Sequence, residues 1–189
     1  MKSLLLATAF AASAGIATAA ERYTLDSSHS QVLFSYNHLG FSTTFGMFSG
    51  FEGEIMFDQA DPTNSSVSVS MPTKSMFTGW EQRDGHFMSA DFFAAEDEDL
   101  ITFTSTAIEV TGDNTALSTG ELTMNDITQS VVLDATLNQA GANPINQKDW
   151  AGFDATTTLK RSDFGLGAFA PAVSAEVEVV ISVEAEKAG

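Results

Sequence analysis

Between Tyr23 and Phe57 apolar and polar residues alternate at period two, and the apolar positions are so rich in phenylalanine that the strands they form must enclose a large space. Val32, Phe34, Tyr36 and His38 share one parity, while Gln31, Ser35 and Asn37 take the other, as expected of a strand with one dry and one wet face. Phe51, Gly53, Ile55 and Phe57 repeat the pattern against Glu52, Glu54 and Asp58. Only Leu33 and Met56 break the alternation.

The same rhythm continues along the chain. Val67, Val69 and Met71 form a strand after the turn Asp61-Pro62-Thr63-Asn64, and Pro72 ends it. Ile101 and Phe103, then Ile108 and Val110, predict a strand whose parity slips at a bulge, and Gly112-Asp113-Asn114 reads as the following turn. Val131 to Leu137, Phe153 to Leu159 and Val177 to Val183 are further alternating runs, the last set against Glu176, Glu178, Ser182 and Glu184. One stretch departs from this. Thr78-Gly79-Trp80-Glu81 has the spacing of a capping box, and Trp80, Asp84, Phe87 and Asp91 follow at near-helical intervals, so a short helix is predicted there. An all-β, antiparallel, eight-stranded barrel with one inserted helix accommodates these elements and leaves room for side chains or one slender ligand. A flattened sandwich with a solid core accommodates them equally, and periodicity does not separate the two.

A chain of 189 residues is a natural single domain. Lys2, the apolar run Leu4 to Ala17 and the small-x-small site Ala17-Thr18-Ala19 predict a signal peptide over residues 1–20, cleaved after Ala19 or Ala20, and a mature domain over 21–189. A Gram-negative periplasm is the expected destination. No later stretch approaches the roughly 18 apolar residues of a membrane span, so stable membrane insertion is not expected. The absence of cysteine rules out disulfides, covalent haem attachment, thiol catalysis and a lipoprotein anchor. The net charge of −17 repels phosphate backbones and anionic membranes, and makes nucleic acid a poor partner.

Taken in order, the motifs resemble the YceI-like proteins, secreted lipocalin-like barrels associated with polyisoprenoids and similar long-chain lipids. The resemblance is carried by Tyr23-Thr24-Leu25-Asp26-Ser27-Ser28-His29-Ser30, His38-Leu39-Gly40, Phe51-x-Gly53, Arg83-Asp84-Gly85-His86-Phe87, Gly120-Glu121-Leu122-Thr123 and Arg161-Ser162-Asp163-Phe164-Gly165. It departs from the family pattern at Asp126-Ile127-Thr128-Gln129, where a Gly-Val-Thr-Lys-like turn is usual, and at Lys160, where an Asn is usual. Asp126 is expected in a left-handed turn position. The resemblance implies a periplasmic binding or carrier protein for a polyisoprenoid, quinone or fatty-acid-type lipid.

Physical chemistry supports a lipid independently, because burying one isoprene unit removes about 100 Å² of apolar surface, or about 2.5 kcal/mol. The candidate cavity wall comprises Phe34, Tyr36, His38, Phe45, Met47, Phe51, Ile55 and Phe57, with Trp80 and Phe87 from the insertion and Val177, Val179 and Ile181 opposite. His29, Asp84, His86 and Arg161 are the candidate polar portal, with Arg161 and Asp163 expected to pair with Asp84 or Asp91. The three histidines lack zinc-site spacing, so no metal is assigned, and no cofactor motif stands in a suitable context. Gly165-Leu166-Gly167-Ala168-Phe169-Ala170 fits a dinucleotide fingerprint formally, but Pro171 forbids the helix that motif needs. No nucleophile with a base in reach is visible, so no catalytic residue is assigned. Two other functions stay open: a solid-cored acidic module that docks a membrane enzyme or stress partner, and a lipid-acting hydrolase or isomerase using His29, His86 and Asp84. A homodimer is also left open.

Overall fold

The computed structural model describes residues 19–189, so the predicted signal peptide lies outside the described residues except for its last two positions. Among the described residues, ten strand segments and one α-helix follow one another as β1 (Glu21–Leu25), β2 (Gln31–His38), β3 (Ser42–Phe48), β4 (Glu52–Phe57), β5 (Ser66–Pro72), α1 (Glu81–Met88), β6 (Leu100–Val110), β7 (Thr115–Met124), β8 (Ile127–Ala142), β9 (Asp149–Lys160) and β10 (Glu176–Lys187). All neighbours are antiparallel, in the order β1-β4-β5-β6-β7-β8-β9-β10, and β1 pairs back onto β10 to close a ring of eight. This is the predicted barrel rather than the sandwich.

The two remaining strands extend that ring. β10 pairs with β2 through Glu178 to Ser182 and with β1 through Ala185 to Lys187, so one long strand serves two partners that follow each other in the chain. β3 pairs with β2, and its outer edge is covered by Phe77, which exchanges backbone hydrogen bonds with Met47 at 2.8 and 2.9 Å. An edge that would otherwise offer unpaired N–H and C=O groups is thereby blunted.

Local chemistry sets the corners. The parity slip expected near Ile108 is a register irregularity between Ser105 and Ala107. Asn125 (φ 54°) and Asp126 (φ 59°) are both left-handed and join β7 to β8 in a two-residue turn, a geometry that Asn and Asp tolerate better than most residues. Gly53 has φ +142°, and a Cβ there would meet the Ser68 carbonyl oxygen and come within 2.7 Å of Val69 Cα. No side chain fits where β4 and β5 approach so closely.

The helix differs from the expected capping box. Trp80 is its N-cap and makes no side-chain cap bond. Gly79 turns the chain at φ +80°, so the Thr78 hydroxyl and backbone N–H donate instead to Asp84, while Arg83 donates to the Thr78 hydroxyl and carbonyl. No residue of α1 is fully buried. The helix belongs to the long β5–β6 connection, which lies at the same barrel end as the β2–β3 and β7–β8 turns and residues 161–175; this is the capped end.

Candidate functional site

The inward faces of the strands enclose a cavity of about 330 Å³ that reaches from the capped end to the far end. Phe34 and Tyr36 from β2, Ile55 and Phe57 from β4, and Val177, Val179 and Ile181 from β10 line it, as does Phe51 between β3 and β4. More of the wall comes from strands that sequence reasoning recognised as alternating but did not assign to a site, among them Ile101 and Phe103 on β6, Val131 and Leu133 on β8, and Phe153 and Leu159 on β9. Aliphatic and aromatic side chains at these alternating positions look like ordinary core, and nothing in the sequence distinguishes a residue facing a void from one facing another residue.

Aromatic rings close the capped end. Phe87 stands edge-on to Tyr36 at 6.1 Å and to Phe92 at 5.0 Å, and Phe93 stands edge-on to Phe48 at 6.4 Å. Phe164, the largest fully buried side chain among the described residues, and Leu166 complete this plug from the β9–β10 connection. Toward the far end Phe57 meets Phe153 across the interior at 5.4 Å, and the cavity is bordered there by Pro62, Ser65 and residues 112–115.

Four of the expected wall residues lie elsewhere. Phe45 is 65% exposed and Met47 shares its outward face, because the inward parity of β3 belongs to Gly46 and Phe48. The Phe34 ring lies over Gly46, occupying the space a side chain there would need. Trp80 is 56% exposed, with Arg83 stacked 5.8 Å from its ring centroid. His38 has the inward parity but sits at the last position of β2, exposed, and bridges Val173 by backbone alone.

The expected portal residues do not converge either. Asp84 is engaged by Thr78, and His86 meets Asp91 at 3.1 Å on the exposed surface. Arg161 borders the cavity, but it begins a short 3-10 turn instead of sharing a strand face with Asp163, and it reaches neither Asp84 nor Asp91. Its guanidinium donates to the carbonyls of Leu166, Ala168, Val173 and Ser174 and so staples the β9–β10 connection. Burial lowers its pKa, yet so strong a base remains a cation.

His29 lies in the corner between β1 and β2, toward the far end of β10, away from His86 and Asp84. Its Nδ1 meets the Asp26 carboxylate at 2.6 Å and the Ser28 hydroxyl at 3.1 Å. Both contacts use one ring nitrogen, whereas a proton relay needs the nucleophile and the orienting acid on opposite nitrogens. The Asp26 hydrogen bond and charge raise the His29 pKa, and the His29 and Ser28 hydrogen bonds lower that of Asp26. Asp26, His29 and Glu184 bring ligand atoms within 4.8 Å of one another, a donor set that suits a divalent cation; the Asp26–His29 ion pair accounts for the same geometry without one.

Comparison with known proteins bears on the whole barrel. The YceI-like domain model matches residues 23–185. A protein YceI of Escherichia coli O17:K52:H18 is 39% identical over 189 aligned positions, covering 97% of each chain. A UPF0312 protein of Ectopseudomonas mendocina is 40% identical over 156 residues, covering 82% of this chain and 81% of its own. Among solved structures, BcnA of Burkholderia cenocepacia superimposes with a TM-score of 0.76 at 26% identity, covering 85% of this chain and 98% of its own. A polyisoprenoid binding domain from Saccharophagus degradans superimposes with a TM-score of 0.68 over 90% of this chain and 100% of its own, and at 14% identity that likeness concerns the fold. Family model, relatives and architecture agree, and the chain belongs to the YceI-like family.

Proposed function

We propose that the protein is a periplasmic binding or carrier protein that holds a polyisoprenoid, quinone or related long-chain lipid inside its barrel. The observation that carries this reading is the apolar cavity, which runs between two barrel ends and is walled by aromatic and aliphatic side chains. Such a space binds by removing hydrocarbon from water, at about 25 cal/mol per Å² before ordering losses. The polyisoprenoid-binding function named for the Saccharophagus degradans domain of the same fold supports the lipid class. The signal-like segment at residues 1–20 supports export. Binding is favoured over catalysis because His29 contacts Ser28 and Asp26 through the same nitrogen. The solid-cored docking module loses its premise in a hollow barrel.

The test is to purify the full chain without denaturation, extract it with organic solvent and identify the released compounds by mass spectrometry. A long-chain lipid is expected from the native protein. Phe34→Glu and Ile181→Glu, on the cavity wall, are expected to abolish retention, and Glu178→Ala, whose carboxylate accepts from Thr158 on the outer face, to leave it intact. A clean native extract together with no uptake of added polyprenyl quinone overturns the reading.

A further inference from the structure

One group inside the cavity is unlike its neighbours. Ser118 lies on β7 with its side chain lining the cavity, is only 5% exposed, and its hydroxyl has no hydrogen-bond partner among the described residues. Its cross-strand neighbours are Ile108 on β6 and Leu133 on β8, both apolar and both on the cavity wall. Ser118 is three residues from Thr115 at the far end and six from Met124 at the capped end, so it sits roughly 10 Å of strand above one end and roughly 20 Å below the other. A buried hydroxyl without a partner is costly, and a water beside it would itself need two to four polar partners, which the flanking Ile108 and Leu133 side chains do not supply.

We infer that Ser118 is the polar anchor of the cavity, its hydroxyl hydrogen-bonding an uncharged oxygen of the bound lipid, an alcohol or carbonyl, while the hydrocarbon runs toward the capped end. This rests on the lipid-binding reading above. The neutral character follows from the charges at hand. Among the described residues that line the cavity the only cationic side chain is Arg161, and its donors are committed to four backbone carbonyls. Asp113 and Asp154, which border the cavity, oppose an anion further. A carboxylate or phosphate carried to the level of Ser118 would be buried without a counter-ion, a penalty larger than one hydrogen bond returns.

The experiment is displacement of the neutral dye N-phenyl-1-naphthylamine from the full chain by dodecan-1-ol, dodecane and dodecanoate. It compares the native protein with Ser118→Ala and Ser118→Thr. The affinity ratio of alcohol to hydrocarbon is expected to fall about tenfold in Ser118→Ala and to recover in Ser118→Thr, the loss of one hydrogen bond. Dodecane is expected to bind Ser118→Ala at least as well as the native chain, and ligand-free Ser118→Ala to be no less stable in urea, which separates an anchor from a structural hydroxyl. An unchanged ratio overturns the anchor, and dodecanoate binding tightest of the three overturns its neutral character. Failure of all three to displace the dye from the native chain overturns the lipid reading itself, and the anchor with it.

Discussion

On β1, β3, β4 and the corner between the last two, the large inward side chains are packed: Tyr23, Phe48, Phe51, Ile55 and Phe57 are between 4% and 7% exposed. On β8, Val131, Leu133, Ala135 and Leu137 point inward with the same two-residue spacing and line the same cavity, yet each is only half-buried. The two walls follow one periodicity and differ in bulk. Rings on the first wall meet other rings, as in the Tyr23–Phe57 and Phe34–Phe48 contacts at 6.0 and 5.5 Å, whereas the shorter aliphatics of the second do not reach across to fill the space. Alternation therefore determines which way a side chain points, and volume determines whether anything is there to meet it.

Equivalent truncations should separate the walls most clearly. Phe57→Ala is expected to cost about 4 kcal/mol in urea unfolding, because the ring is buried against Tyr23 and Phe153, whereas Leu133→Ala should cost about 1 kcal/mol, since its side chain already borders a void. Equal losses would break the comparison. Enlargement sharpens it from the other side. Ala185, fully buried where β10 meets β1, should lose about 2 kcal/mol on substitution by Leu, while Ala135→Leu, projecting into the cavity, should change stability by less than about 1 kcal/mol and lower lipid uptake.

The smallest effect concerns the corner between β1 and β2. The raised His29 pKa means that its charged form is favoured by folding; that contribution is complete below the unfolded histidine value and is lost as pH rises through the folded one. The lowered Asp26 pKa contributes above the unfolded carboxylate value and is lost as pH falls through the folded one. The pair is therefore fully effective only between the two unfolded values. Asp26→Asn should move the His29 titration midpoint, followed by NMR, down toward that of an ordinary histidine, with the cavity walls undisturbed.

Much of the fold was legible because period two survives in every long strand, and β8 and β10 carried it almost without interruption. The wall was legible only where large residues held the inward parity. On β3 they do not: Gly46 takes the inward place so that the Phe34 ring can lie over it, and a reading that follows bulk selects Phe45 and Met47, which point outward. The expected portal failed for a different reason, because Asp84, His86 and Arg161 are polar groups already occupied by partners close in sequence. Ser118 was missed because a serine within a strand is commonplace, and only three-dimensional packing reveals that its hydroxyl lacks a partner.

The pairing of Tyr23 to Leu25 with Ala185 to Lys187 has a kinetic consequence. Leu25 and Ala185 are 160 positions apart in the chain, so the last stave of the barrel cannot be hooped until all the strands between them have been made. Contacts so distant along the chain carry a high ordering cost before they return any stabilisation, and they place the sealing of the barrel late in folding. Until then, the same greasy interior is open along one side.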